Sequence, residues 1–259
     1  MRLITWNLAR RLQALPGQAA ALARREPDVV ALQEVTASSL PVWRDALRMM
    51  GLTHVSCTLD TADPGREPRT RRRTGVLVAA REPVDTLDDR PLDPPWPETV
   101  LSAVVGGIRL HAAHVPNAAN GWTKVRTLQA LEALARADAG RPLVVCGDLN
   151  TPRRETPSGI VTFARDTKAR LRPDRGTEWD EAELALLDGR TGLRDAFRLL
   201  HPDAPDVSWA WSHGGGWRLD HVLVSPAVEP RAVAYHHDWR EDGLSDHSAL
   251  EADVEPAGS

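Results

Sequence analysis

The chain is poor in cysteine, in lysine and in every aromatic except tryptophan. Its 259 residues include only Cys57 and Cys146. Two thiols build neither a disulfide framework nor a multi-cysteine zinc site. No stretch approaches the roughly 20 apolar residues that span a bilayer. No Gly-x-Ser-x-Gly elbow offers a nucleophilic serine, and no Gly-x-x-x-x-Gly-Lys loop offers a phosphate cradle. Lysine stands only at Lys124 and Lys168, so 30 of the 32 cations are arginine, a coding bias to which we assign no function. The net charge of −4 argues against indiscriminate duplex binding but leaves room for a local basic groove.

A content of 42% hydrophobic and 26% charged residues is that of a soluble globular protein. The length suits one α/β domain over residues 1–259, since no repeat or linker interrupts it. The chain opens on Arg2-Leu3-Ile4-Thr5-Trp6-Asn7, strand-like and unlike a secretory leader. A cytoplasmic monomer with reduced thiols and no membrane span is expected.

Apolar patterning predicts strands over residues 3–8, 28–34, 53–59, 75–81, 100–105, 108–115, 142–147, 217–224, 231–236 and 248–254. Helices are predicted over 16–26, 38–50 and 122–137, with shorter ones over 178–187 and 193–200. Residues 61–74 and 151–177 read as loops, and 85–98 as a proline-rich connection. Strands and helices in mixed order suggest sheets covered by helices.

Several polar residues fall where an apolar run ends or is interrupted. They are Asn7, Glu34, His114, Asp148 with Asn150, Asp220, and Asp246 with His247. Singly, each reads as a turn residue or helix cap. Together they are chemically coherent, because a rigid sheet fixes catalytic groups at its strand ends. The set holds carboxylates, amides and imidazoles but no thiolate; Cys146, inside Leu143-Val144-Val145-Cys146-Gly147, reads as a small buried hydrophobe. Hard oxygen donors without cysteine suit Mg2+ or Mn2+ rather than zinc. Such ions stabilise charge on a transferring phosphoryl group.

Six segments carry these residues: Thr5-Trp6-Asn7, Leu32-Gln33-Glu34, His114-Val115-Pro116-Asn117, Gly147-Asp148-Leu149-Asn150, Trp217-Arg218-Leu219-Asp220-His221 and Ser245-Asp246-His247. In this order they resemble the endonuclease/exonuclease/phosphatase superfamily over nearly the whole chain. Val115-Pro116-Asn117-Ala118 and Gly216-Trp217-Arg218-Leu219-Asp220 are most similar to its exonuclease III/apurinic endonuclease branch. The resemblance implies a deoxyribonuclease I-like four-layer α-β-β-α sandwich. Two mixed sheets would face each other with helices outside and the active site at one end.

The resemblance also implies roles. Glu34 would bind the divalent metal, helped by Asn7. Asp148 would be the general base that deprotonates the attacking water. Asn150, two residues on along an extended segment, would donate to the phosphate or align Asp148. Asn117 and Asn7 would contact the substrate. Asp220 would fix the tautomer of His247, whose cation would stabilise the pentacovalent phosphate. Asp246 would assist the metal or activate the leaving group.

Two positions depart from that branch. His114 stands where the branch typically has Tyr and where the deoxyribonuclease I and sphingomyelinase branches have His. A histidine protonates a leaving alkoxide more readily than Tyr, so His114 reads as a general acid, the alternative being a structural hydrogen bond to the phosphate. The 151–177 loop offers no obvious match to a further Asn that the apurinic enzymes use.

Two basic stretches suggest a polyanion: Arg66 to Arg73, and Arg153-Arg154 with Arg165, Lys168, Arg170, Arg172 and Arg175. Trp217 beside Arg218 reads as a stacking residue for a base or sugar, whereas Trp209 and Trp211 read as core. The adjacent His236 and His237 read as non-catalytic. The first expectation is therefore a Mg2+-dependent (Mn2+ possible) phosphodiesterase acting on DNA. The alternatives are a superfamily phosphatase or phosphodiesterase for a small phosphorylated molecule or lipid headgroup, and a non-catalytic binding module.

Overall fold

The computed structural model describes residues 1–61, 73–88, 90–156, 158–212 and 214–258. Its first elements are β1 (Arg2–Asn7), α1 (Leu15–Ala23), β2 (Val29–Thr36), α2 (Leu40–Met49), β3 (His54–Cys57) and β4 (Thr74–Ala80). Next come β5 (Asp85–Thr86), β6 (Val100–Val105), β7 (Ile108–His114), α3 (Trp122–Ala137) and β8 (Leu143–Asp148). A hairpin of β9 (Arg154–Thr156) and β10 (Gly159–Val161) precedes α4 (Gly176–Leu184), β11 (Arg194–Asp195) and α5 (Ala196–Leu200). A second hairpin, β12 (Trp209–Ala210) and β13 (Gly216–Trp217), leads to β14 (Asp220–Val224), β15 (Val228–His236), α6 (His237–Glu241) and β16 (Ala249–Pro256).

Two six-stranded sheets result, ordered β15-β16-β1-β2-β4-β3 and β11-β14-β8-β7-β6-β5. Both are mixed, because β1–β2 and β7–β8 pair in parallel and their other pairs are antiparallel. The period-2 alternation of strands builds the layers. On β2, Val29 and Ala31 enter the core shared by the sheets, while Val30 and Leu32 enter the core beneath α1 and α2. On β8, Val144 and Cys146 face the shared core, and Leu143 and Val145 the core beneath α3 and α4. Both strands are apolar on both faces, as sheets covered on both sides require. The order of layers is the α-β-β-α sandwich that the resemblance implies. Among the described residues no helix is long and apolar enough to cross a membrane.

Local chemistry sets the helix ends. Pro16 occupies the first turn of α1, where its missing N–H is not needed. Gly51, at φ 82°, stops α2.

The structure corrects several expected elements. Residues 217–224 are not one strand: Trp217 belongs to the β12–β13 hairpin and Asp220 starts β14. The break arises because the Leu219 and Asp220 amides both donate to Ser208 Oγ, at 2.9 and 3.1 Å. The 193–200 helix begins only at Ala196, where the Asp195 carboxylate caps the amides of Phe197 and Arg198. The 151–177 loop contains β9 and β10. Asn150 is not extended; its φ is 50°.

Candidate active site

The site is assembled by strand register. His114 on β7 pairs with Asp148 on β8, and Asp148 pairs with Asp220 on β14. Three neighbouring strands thus end with chemistry-bearing side chains in one row. Gly147 permits this packing: at φ 129°, a Cβ there would stand 2.0 Å from the Ala113 carbonyl oxygen. From the other sheet, β1 ends at Asn7, and β2 delivers Glu34 at a bulge between Leu32 and Val35, with φ 58° at Glu34.

These residues line one cleft of about 810 Å³. Asn7, Glu34, Arg73, His114, Asn117, Asp148, Asn150, Trp217, Asp246 and His247 all contribute to its wall. Asp220 lies behind it, fully buried, and reaches the cleft through His247.

Asp148 is held by amides. Asn7 Nδ2 and Asn150 Nδ2 donate to its Oδ2 at 2.9 and 3.2 Å, and the Asn150 backbone amide donates to Oδ1 at 2.9 Å. Burial raises its pKa above the usual carboxylate range, against the lowering pull of His247. His247 Nδ1 stands 2.8 Å from Asp220 Oδ2, and its Nε2 lies 3.8 Å from Asp148 Oδ2. Burial would lower the His247 pKa, but Asp220 and then Asp148 override it, raising it to about 10. Asp220 is correspondingly lowered: burial pushes it up, and the His247 charge more than offsets that. The 245–247 segment is fixed from β1, where Trp6 Nε1 donates to the His247 carbonyl and Asn7 O accepts from Ser245 Oγ.

His114 Nε2 bridges toward Glu34 Oε1 at 3.6 Å and Asp148 Oδ2 at 3.8 Å. Asn117 spends its Oδ1 on the Ala119 amide and on Asn120 Nδ2, so it meets a ligand only as a donor through its own Nδ2. Arg73 pairs with Glu98 at 3.6 Å.

The donor set fits a hard divalent cation. Glu34, Asp148, Asp246 and Asn7 bring oxygens to one wall, and Glu34 Oε2 is buried with no aligned hydrogen bond among the described residues, its near neighbour being Arg10 Nε at 3.0 Å. Donor atoms of Asp148, Asp220 and His247 also lie within 4.8 Å of one another. We read that trio as a proton-handling group instead, since His247 is charged and already bonded to Asp220.

Two residues not expected at the site contact it. Trp209 reads as core, yet it lines the cleft, stacks on Trp217 with centroids 5.0 Å apart, and donates from Nε1 to Asp246 at 3.3 Å. Gly216 makes the stack possible: a Cβ there would stand 2.0 Å from the Trp209 carbonyl oxygen. Lys124 is fully buried and pairs with Glu183 while donating to the Asn150 carbonyl at 2.9 Å. A lysine on the apolar stripe of the 122–137 helix was the available signal.

The basic stretches contribute little here. Arg66 to Arg72 lie outside the described residues. In the second stretch, Arg165 pairs with Asp180, Arg172 with Asp174, and Arg175 stacks on Trp179; none of that stretch lines the cleft. His236 bonds Glu251 and His237 bonds Ser248, both away from the cleft.

The chain is similar to known proteins in sequence and in fold. The DNA repair nuclease APEX1 of Danio rerio is 26% identical over 220 residues, covering 80% of this chain and 67% of that protein. An exodeoxyribonuclease of Streptococcus pneumoniae is 21% identical, covering 98% of this chain and all of the relative. The fold matches a solved 3′ phosphatase NExo from Neisseria, bound to product DNA hairpin, with TM-score 0.72, 24% identity and coverage of 98% and 99%. It also matches an AP endonuclease from Archaeoglobus fulgidus with TM-score 0.73, 20% identity and the same coverage. Residues 4–247, from β1 to the charged imidazole of the cleft, match one family model, and the chain belongs to the Endonuclease/Exonuclease/phosphatase family.

Proposed function

We propose that the protein is a divalent-metal-dependent phosphodiesterase acting on DNA, of the exonuclease III/apurinic endonuclease kind. The observation that carries this reading is the pairing of Asp148 with His247. A buried carboxylate oriented by two amides faces an imidazole held cationic by a second carboxylate.

Asp148 takes the proton from the attacking water, and burial, which raises its pKa, makes it a stronger proton acceptor than a free carboxylate. Asn7 and Asn150 fix the rotation of its carboxylate. His247 presents its charge through Nε2 to the negative charge that grows on the phosphorane, while Asp220 occupies Nδ1. His114, between Glu34 and Asp148, protonates the leaving oxygen. Asn117 donates to the phosphate. Glu34, with Asn7 and Asp246, would hold the ion, Mg2+ by the hardness of the donors and Mn2+ as its substitute. The bound ion supplies Lewis-acid charge to the phosphate oxygens.

The Trp209–Trp217 stack at the cleft wall supports a nucleic-acid substrate, because an indole face holds a base or sugar. The nuclease names of the relatives support it too. Two unpaired, buried thiols accord with a cytoplasmic location.

The test is cleavage of a labelled duplex carrying one abasic site, with Mg2+ and with EDTA, beside an intact duplex and a generic phosphodiester. Mg2+-dependent incision at the lesion or trimming of the strand end is expected. Hydrolysis of the generic ester alone would move the substrate to small phosphorylated molecules or lipid headgroups. No hydrolysis of any ester would leave a binding module.

A further inference from the structure

The two residues at the turn after β1 hold left-handed backbone without being glycine: φ is 53° at Ala9 and 56° at Arg10. A side chain is strained in that conformation and glycine is not. Asn7 pins the turn, its Oδ1 accepting from the Ala9 amide at 2.9 Å while its Nδ2 holds Asp148. The turn places Arg10 on the cleft wall, 42% exposed, with Nε 3.0 Å from Glu34 Oε2. That contact is an ion pair without hydrogen-bond alignment, since Glu34 Oε2 has no hydrogen-bond partner among the described residues. Glycine would meet the backbone demand more cheaply, so the reason for the arginine lies in what its side chain does in the cleft.

We propose that Arg10 is a phosphate-binding residue of this cleft, parked on Glu34 until a divalent ion takes that carboxylate. The inference rests on the metal-dependent phosphodiesterase reading above. A planar guanidinium with five donors engages a phosphate through two oxygens at once, which neither His247 nor Asn117 can do. Its present partner, Glu34, is the carboxylate best placed to take the ion. Once that carboxylate is shared with a doubly charged ion, its hold on Arg10 weakens and the guanidinium turns to the phosphate.

Two consequences have opposite signs. Arg10 competes with the ion for Glu34, so its removal tightens ion binding when no phosphate is present. Ion binding releases Arg10, so its removal weakens phosphate binding once the ion is bound.

The variant of choice is Arg10→Gly, because glycine relieves the backbone and its Tm is expected at or above that of the parent. Calorimetry measures Mg2+ binding alone, then inorganic phosphate binding at saturating Mg2+, for the parent, Arg10→Gly and Arg10→Lys. Arg10→Gly is expected to bind Mg2+ severalfold more tightly and phosphate about tenfold more weakly, the size of a lost charge-assisted hydrogen bond. Arg10→Lys is expected to recover part of the phosphate affinity. Equal phosphate affinity in Arg10→Gly overturns the proposal, and so does Mg2+ affinity that is unchanged or weaker. A parent protein that binds no Mg2+ overturns the metal-dependent reading as well. Normal binding of both ligands by the parent, with Arg10→Gly indistinguishable, overturns this inference alone.

Discussion

Asp220 lies directly opposite Asp148 across the antiparallel pair of β14 and β8, and His247 stands between the roles of the two carboxylates. Its Nδ1 is bonded to Asp220 at 2.8 Å, while its Nε2 stands 3.8 Å from Asp148. One strand register therefore separates an acid that holds the cation from an acid left to accept a proton.

Asp148→Asn keeps the shape of the side chain and removes the base. Turnover is expected to fall about 10²–10⁴-fold, the usual worth of a positioned general base. Both Asp148 oxygens accept from N–H donors, so the carboxamide nitrogen of Asn meets a donor and a modest loss of stability, about 1–3 kcal/mol, is expected. Steady-state kinetics with a thermal melt at neutral pH checks both; near-parental turnover would remove Asp148 from the mechanism.

The His247–Asp220 pair sets a pH window. His247 is raised to about 10, above its ordinary value of 6.5. Stabilisation from its charge is fully present below 6.5 and is lost as pH rises through about 10. Asp220 is lowered, so its share is present above its ordinary 3.8 and is lost as pH falls further. Asp220→Asn is expected to pull the alkaline limb of the kcat profile toward neutrality and to reduce kcat at pH 7 by about 10²-fold or more. An unchanged alkaline limb would show that His247 does not act through its charge.

Glu34→Gln should act on the ion and leave the fold alone. Its ion pairs, with the exposed Arg10 at 3.0 Å and with His114 at 3.6 Å, are solvent-screened and worth about 0–1 kcal/mol each, so little structural support is lost. The Mg2+ concentration for half-maximal activity is expected to rise at least about tenfold, as one charged ligand of a hard cation becomes neutral. A Mg2+ titration curve that does not move would make Glu34 a structural residue.

Lys124→Met leaves Glu183 charged and fully buried without its partner, since both side chains have no exposure. Breaking such a pair from one side costs about 3–5 kcal/mol. The double variant Lys124→Met/Glu183→Gln removes both charges and should recover most of that loss in urea unfolding. It still lacks the donor to the Asn150 carbonyl, so its kcat should stay below that of the parent. Full recovery of kcat together with stability would confine the lysine to a structural role.

Most strands were legible because a buried strand writes itself as an apolar run, whereas their arrangement as a sandwich was implied only by the family resemblance. The chain order of Asn7, Glu34, His114, Asp148, Asp220 and His247 was legible too, each at the end or interruption of such a run. Glu34 shows where reading stops. Its strand continues to Thr36, and only a bulge opposite Val76 turns the carboxylate into the cleft. A bulge depends on the partner strand, and pairing is not written in local sequence. Trp209 shows the same limit, since its position on the cleft wall rests on its hairpin partner Trp217.

Residue type and apolar periodicity are local properties, so the chemistry present and its order along the chain can be read residue by residue. Tertiary structure brought Asp220 to His247 and Asn7 to Asp148, and it set Lys124 in the interior beside the Asn150 carbonyl. Those are contacts between residues 26 or more positions apart. Pairing register and packing across the two sheets, which no local pattern encodes, brought them within hydrogen-bond reach.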